Sequence, residues 1–199
     1  MKDLTSTTRD IARELARKYS TMTHDELDTL ESILVPMKFT KGQIILAEGE
    51  VCRNIMYIAK GLVRQFYFKK EKEVTEHMSV EGGIIMCIES LFKEEPTQLQ
   101  VEALEPTIIY SMPKQRLEEV ALHNVNIQIL YRKILEESLI LSQIHADLVR
   151  FETAQDRYKK LCKLAPQVVL RAPLVYIASY LQMTPETLSR VRTAALNED

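Results

Sequence analysis

The chain has 199 residues, 46% of them hydrophobic, enough to bury the core of one large domain or two small ones. Its net charge of −2 excludes a uniformly basic coat, and it contains no apolar run of about 18 residues that could span a membrane. The N-terminal MKDLTSTTRD has no apolar stretch of the secretory kind, and Cys52, Cys87 and Cys162 are odd in number and far apart. They read as isolated buried thiols of a cytoplasmic protein, without a disulfide framework.

Charge is uneven along the chain. Residues 1–149 carry 18 basic and 23 acidic side chains, and residues 150–199 carry 8 and 5, which predicts a division of labour between two domains. His24, His77, His123 and His145 share no ligand spacing, so neither a metal nor a cofactor is expected.

Over residues 1–35 the pattern is helical. Ile11 and Leu15, and Ala12 and Ala16, recur four apart among charges; Thr23 and Glu26 form a capping box ahead of Leu27, Leu30, Ile33 and Leu34. Two short amphipathic helices that pack on the next domain follow from this. A partner-binding role for them has no sequence signature.

From Pro36 to Met112 the period becomes that of strands. All five glycines, Gly42, Gly49, Gly61, Gly82 and Gly83, punctuate the runs IILA, NIMYIA, LVRQFYF, EVTEHMSV, LQVEAL and TIIYSM. Strands this short, without helical crossovers, predict a small antiparallel barrel or jelly roll.

Helix signals return after Pro113. A short helix is expected over Lys114–Leu122, then a long one over Asn124–Phe151, roughly 28 residues and about 40 Å. Ile127, Leu130, Ile134, Leu141, Ile144, Leu148 and Phe151 keep a 3-4 alternation, with Glu137 at an apolar position. The first six are read as the interface of a homodimer, the alternative being a helix that lies across its own barrel. Glu137 would fix the register of the seam or face a pocket.

The last stretch, Ala172 to Ala194, predicts a helix-turn-helix. Pro173 opens a segment with Ile177, Ala178 and Leu181 at helical spacing, Met183 and Thr184 interrupt it, and Thr184 then caps a second helix begun by Pro185. Leu188 and Val191 face the first helix, while Glu186, Ser189, Arg190 and Thr193 project outward. Two antiparallel helices closing an ordinary core would share this spacing. What favours a phosphate-binding surface is charge: Arg157, Lys159, Lys160, Lys163, Arg171, Arg190 and Arg192 stand against the single acid Glu186.

In this order of parts, and in KGQIILAEGE (41–50), MYIAKGLVRQFY (56–67) and IASYLQMTPETLSRVR (177–192), the chain resembles the cyclic-AMP receptor protein and fumarate-nitrate regulator (Crp/Fnr) family of bacterial transcription regulators. The resemblance covers nearly the whole chain. It implies an α+β fold: a cyclic-nucleotide-binding-type antiparallel β-roll with flanking helices over residues 1–123, a dimerisation helix over 124–151, and a helix-turn-helix DNA-binding domain over 152–199. It also implies that Thr184, Pro185, Glu186 and Thr187 form the N-terminal turn of the recognition helix, with Arg190 one turn on. Arg190 can donate two hydrogen bonds to a guanine edge and Glu186 can accept from a cytosine amino group, while Thr187, Ser189 and Arg192 suit phosphate contacts or the support of Arg190.

The chain departs from the family pattern in several places. Pro185 stands where a basic residue is common, Gln182 occupies the turn where glycine is usual, and the sequence ends at Asp199 with no β-hairpin wing. Cyclic-nucleotide-binding members carry a Gly-Glu pair and a following Arg that clamps the cyclic phosphate. Between Gly83 and Val101 this chain has no arginine, and its only base, Lys93, is outnumbered by Glu89, Glu94 and Glu95. Cyclic AMP is therefore not expected to bind in the usual way. Met86, Cys87, Ile88 and Leu99 would line an apolar pocket or a packed barrel, so an effector is a small molecule of unknown identity, and the cysteines lack the cluster of an iron-sulfur member. The expected partners are double-stranded DNA, a second copy of the chain and RNA polymerase, with no membrane. The rival reading is a sensor acting through protein contacts; no catalytic constellation is evident.

Overall fold

A computed structural model describes residues 7–196. Helices α1 (Thr8–Tyr19) and α2 (His24–Ile33) open the chain, each begun by a capping box: Thr7 with Asp10, and Thr23 with Glu26. Their apolar faces, including Ile11, Leu15 and Leu30, are fully buried against the following domain.

That domain is a roll of eight strands: β1 (Val35–Phe39), β2 (Ile44–Leu46), β3 (Asn54–Lys60), β4 (Val63–Lys69), β5 (Lys72–Ser79), β6 (Ile84–Ile85), β7 (Gln100–Ala103) and β8 (Thr107–Pro113). They form two four-stranded antiparallel sheets, ordered β1-β8-β3-β6 and β2-β7-β4-β5. Gly61 turns the chain between β3 and β4 at φ +110°, and a Cβ there would lie 2.3 Å from Thr107 Oγ1, so both conformation and space require glycine. The glycine-punctuated runs mark most of the strands. Strands β1 and β6 and a helix inserted after β6, α3 (Ile88–Lys93), are additional to the expected elements.

After β8 come α4 (Lys114–Ala121) and the long α5 (Val125–Phe151), as the returning helical period predicts. Two helices beyond those expected, α6 (Ala154–Leu164, capped by Thr153) and α7 (Pro166–Arg171), then lead into α8 (Leu174–Tyr180) and α9 (Pro185–Leu196).

The proposed seam on α5 divides along its length. Ile127, Leu130 and Ile134 are 0% exposed and belong to the same core as α1, α2 and the roll, and Leu148 is buried among the C-terminal helices. Those four pack within their own chain and offer nothing to a second subunit. Leu141 and Ile144 are exposed, together with Leu139 and Ile140, which the alternation did not include. Glu137 is turned toward the first helix of its own chain. It accepts a hydrogen bond from the Tyr19 hydroxyl and pairs with Lys18 at 3.0 Å, both on α1.

Candidate nucleic-acid interface

Helices α8 and α9 meet through Ile177, Ala178, Leu181 and Leu188, all essentially buried, with Val191 packed alongside. In the turn, Gln182 takes φ +52° in place of the usual glycine, its N–H donating to Ser179 O at 3.0 Å; the next N–H, of Met183, donates to Ala178 O at 2.9 Å. Side chains of this kind tolerate left-handed backbone at modest cost. Thr184 then caps α9, its Oγ1 accepting the Thr187 N–H at 3.2 Å. The Thr184 hydroxyl, followed by the Glu186 backbone N–H, holds the Glu186 carboxyl below the usual carboxylate range.

Of the residues expected to face DNA, Thr184, Pro185, Glu186, Ser189 and Arg190 are exposed on one side of α9's first two turns, and Thr187 is half-buried beside them. Ser189, Arg190, Thr193 and Ala194 border a shallow depression open to solvent. Arg190 NH2 lies 3.4 Å from Thr187 Oγ1, which props the guanidinium outward. Arg192 does not join them. Two residues along a helix is more than half a turn, so Arg192 leaves another side of α9, where it is half-buried.

The basic block likewise disperses. Arg157 donates from all three guanidinium nitrogens to backbone carbonyls: Nε to Glu152 O at 3.1 Å, NH1 to Leu181 O at 2.9 Å and NH2 to Val149 O at 2.8 Å. It thereby ties the end of α5, the start of α6 and the turn before α9 together. Arg171 bridges Glu81 and Glu105 of the roll, and Lys160 pairs with Glu152. Burial would raise the Glu81 carboxyl, but Arg171 and the Gly61 N–H together hold it at about 2. Two of the seven bases, Lys160 and Arg171, are thus paired with carboxylates of the chain, and Arg157 is held by backbone carbonyls.

The C-terminal helices share one apolar core with the outside of the roll: Leu62, Met78 and Leu104 pack among Val168, Ile177 and Leu181. Above that core, Arg64 of β4 is covered by Tyr176 of α8, and Thr75 N–H of β5 donates to Ser179 Oγ at 2.8 Å. His145 of α5 stacks on Tyr180 with ring centroids 4.2 Å apart and shares a hydrogen bond with its carbonyl at 3.0 Å.

The residues expected to line an apolar pocket or a packed barrel take different positions. Met86 and Cys87 are buried in the core and Leu99 packs against it, while Ile88 points out to solvent. Gln65 Nε2 donates to Met86 O at 3.0 Å and to Cys87 Sγ at 3.4 Å. Glu89 is exposed and paired with Lys93 on the next turn. Cys52 and Cys87, distant in sequence, are both buried in the same core, where Cys52 Sγ donates to Asn54 O at 3.5 Å. Among the described residues no three His, Cys, Asp or Glu side chains converge on a metal-sized site, and no helix is long and apolar enough to cross a membrane.

Residues 36–124 match the cyclic nucleotide-binding domain family, so the roll with α4 is a domain of that class. Solved structures that share the fold extend beyond the roll to most of the chain. FixK2 from Bradyrhizobium japonicum superposes with a TM-score of 0.72 at 19% identity, over 83% of this chain and 86% of that one. The catabolite activator protein of Thermus thermophilus superposes with a TM-score of 0.55 at 19% identity, over 93% and 87%. A CooA variant from Carboxydothermus hydrogenoformans gives 0.67 at 17% identity, over 84% and 78%. Among curated proteins, a cGMP-dependent protein kinase of Eimeria tenella is 28% identical over 178 residues, 89% of this chain but 16% of the kinase.

Proposed function

We propose that the chain is a cytoplasmic, homodimeric transcription regulator that reads a near-palindromic DNA operator, with RNA polymerase as its further partner. The observation that carries this is the first half of α9: a capped helix N-terminus whose Glu186, Ser189 and Arg190 face solvent while Leu188 anchors the opposite side. A helix so presented can enter a major groove, with Arg190 donating to guanine O6 and N7. The exposed Leu139, Ile140, Leu141 and Ile144 on α5 supply an apolar surface for a second copy, which would place two α9 helices on half-sites about 34–36 Å apart. Domains are proposed as residues 1–123, 124–151 and 152–199.

The test is selection from a random duplex library at near-physiological salt, with wild type and Arg190→Ala in parallel. Wild type should enrich a two-fold symmetric motif, and the variant should lose roughly five- to 150-fold in discrimination at one base pair per half-site. A second reading has its own support. Because Arg157, Lys160 and Arg171 are engaged within the chain, less of the basic block is left for phosphates, which suits a sensor acting through protein contacts. Wild type that enriches nothing, with or without cell extract as a source of effector, would favour that reading.

A further inference from the structure

Arg64 is the largest fully buried side chain of the described residues, 1% exposed, yet it does not belong to the inside of the roll. Its neighbour Gln65 turns inward to Met86, so in the alternation of a strand Arg64 points out from the sheet. What hides it from water is α8. The guanidinium lies 3.6 Å from the centroid of the Tyr176 ring and 3.9 Å from that of Phe66. Its NH1 donates to Glu73 Oε2 on β5 at 2.8 Å and its NH2 to Glu102 Oε2 on β7 at 2.7 Å. One cation therefore ties β4, β5 and β7, three of the four strands of that sheet, to each other and to α8.

Burying a guanidinium is costly unless charge, hydrogen bonds and packing compensate it, and here two carboxylates and two ring faces do so. The carboxylates compensate Arg64 whether or not α8 is present. Tyr176 does so only when α8 is docked. Docking has a second, separate marker: β5 is the outer strand of its sheet, and its Thr75 N–H is occupied by Ser179 Oγ of the same α8, which also approaches Glu73 O at 3.3 Å.

We propose that Arg64 is a positioning residue for the helix-turn-helix, which sets where α8 sits on the roll and through it the aim of α9. A shift of β5 against β7 moves the two carboxylates, the guanidinium follows them, and the Tyr176 ring follows the guanidinium. Its consequence for operator affinity rests on the DNA-binding reading; the docking itself does not.

The experiment uses the full chain and compares wild type with Tyr176→Leu, Tyr176→Phe and Arg64→Lys, by amide hydrogen exchange resolved over three segments. Tyr176→Leu leaves Arg64 and its ion pairs in the sheet but removes the ring face. Exchange at Thr75 should rise roughly five- to thirtyfold, the equivalent of a desolvated cation-π contact, with exchange in β3 and β8 unchanged. Tyr176→Phe should restore the wild-type rate. Arg64→Lys should behave like Tyr176→Leu, because a single ammonium cannot bridge both carboxylates and lie flat between two rings. Thr75 exchange that stays within about twofold of wild type in Tyr176→Leu, or that rises in step with β3 and β8, overturns the proposal. Operator affinity in the same variants is a separate readout. If wild type binds no operator the DNA-binding reading fails, while the exchange data still decide the docking role.

Discussion

His77 shows how much of this molecule's behaviour is set by what a single side chain faces. It sits on β5 beneath the C-terminal helices, and burial first, then the charge of nearby His145, pull its pKa from 6.5 down to about 4. The folded state thus resists a proton that the unfolded chain accepts, so the stability present above about pH 6.5 is lost as pH falls toward about 4. The loss attributable to this residue is at most about 3 kcal/mol. Urea midpoints measured at pH 7.5 and 5.0 should drop clearly in wild type and less in His77→Gln; parallel profiles would show that His77 does not carry the acid sensitivity. No spacing in the sequence reveals this, since His77 and His145 meet only because β5 and α5 converge. Thr184 is the opposite case, a cap legible from its place before Pro185 and realised as the hydrogen bond to Thr187.

At the scale of elements, α5 is two helices in one. Its first half packs on the roll and is core; its middle carries exposed apolar side chains, with Ile140, Leu141 and Ile144 on a face about 100° wide. Ile134→Ala should cost about 2–5 kcal/mol at any protein concentration, as a cavity does. Leu141→Glu with Ile144→Glu should instead leave the fold intact and convert a dimer to a monomer, read by light scattering during size exclusion. A wild type that is already monomeric at tens of micromolar, a concentration range where a subunit interface of ordinary size stays closed, would remove the dimer from the proposal. The 3-4 alternation detects that α5 has an apolar stripe but is blind to which part meets which neighbour. Helices α3 and α7 are only 6 residues long, too brief for periodicity to stand above the polar residues within them, whereas the 11 residues of α6 read in the sequence as a basic block. Their caps, Thr153 before α6 and Pro166 opening α7, were the available signals.

For the whole molecule, the legible part was the succession of helices, roll, long helix and helix pair, because each switches the hydrophobic period. The illegible part was contact between distant segments. Arg171 counted as a base available to phosphate until its partners Glu81 and Glu105, 90 and 66 residues away, came into view. The acidic stretch around α3 is expected to repel an anionic nucleotide. One millimolar cyclic AMP should leave the thermal midpoint unmoved, whereas a ligand with a dissociation constant of about 10 μM would add about 2.7 kcal/mol and several degrees. A shift of that size would mean that the roll accepts a nucleotide after all.

The three carbonyls gathered by Arg157 couple the rear end of the long helix to the turn that leads into α9. Its rigid fork leaves no way for the turn at Leu181 to swing unless the grip on Val149 and Glu152 is released as well. Torque applied to α5 beyond its buried front half would therefore reach the exposed side chains of α9 through those same three hydrogen bonds, as through a hinge pin shared by both helices.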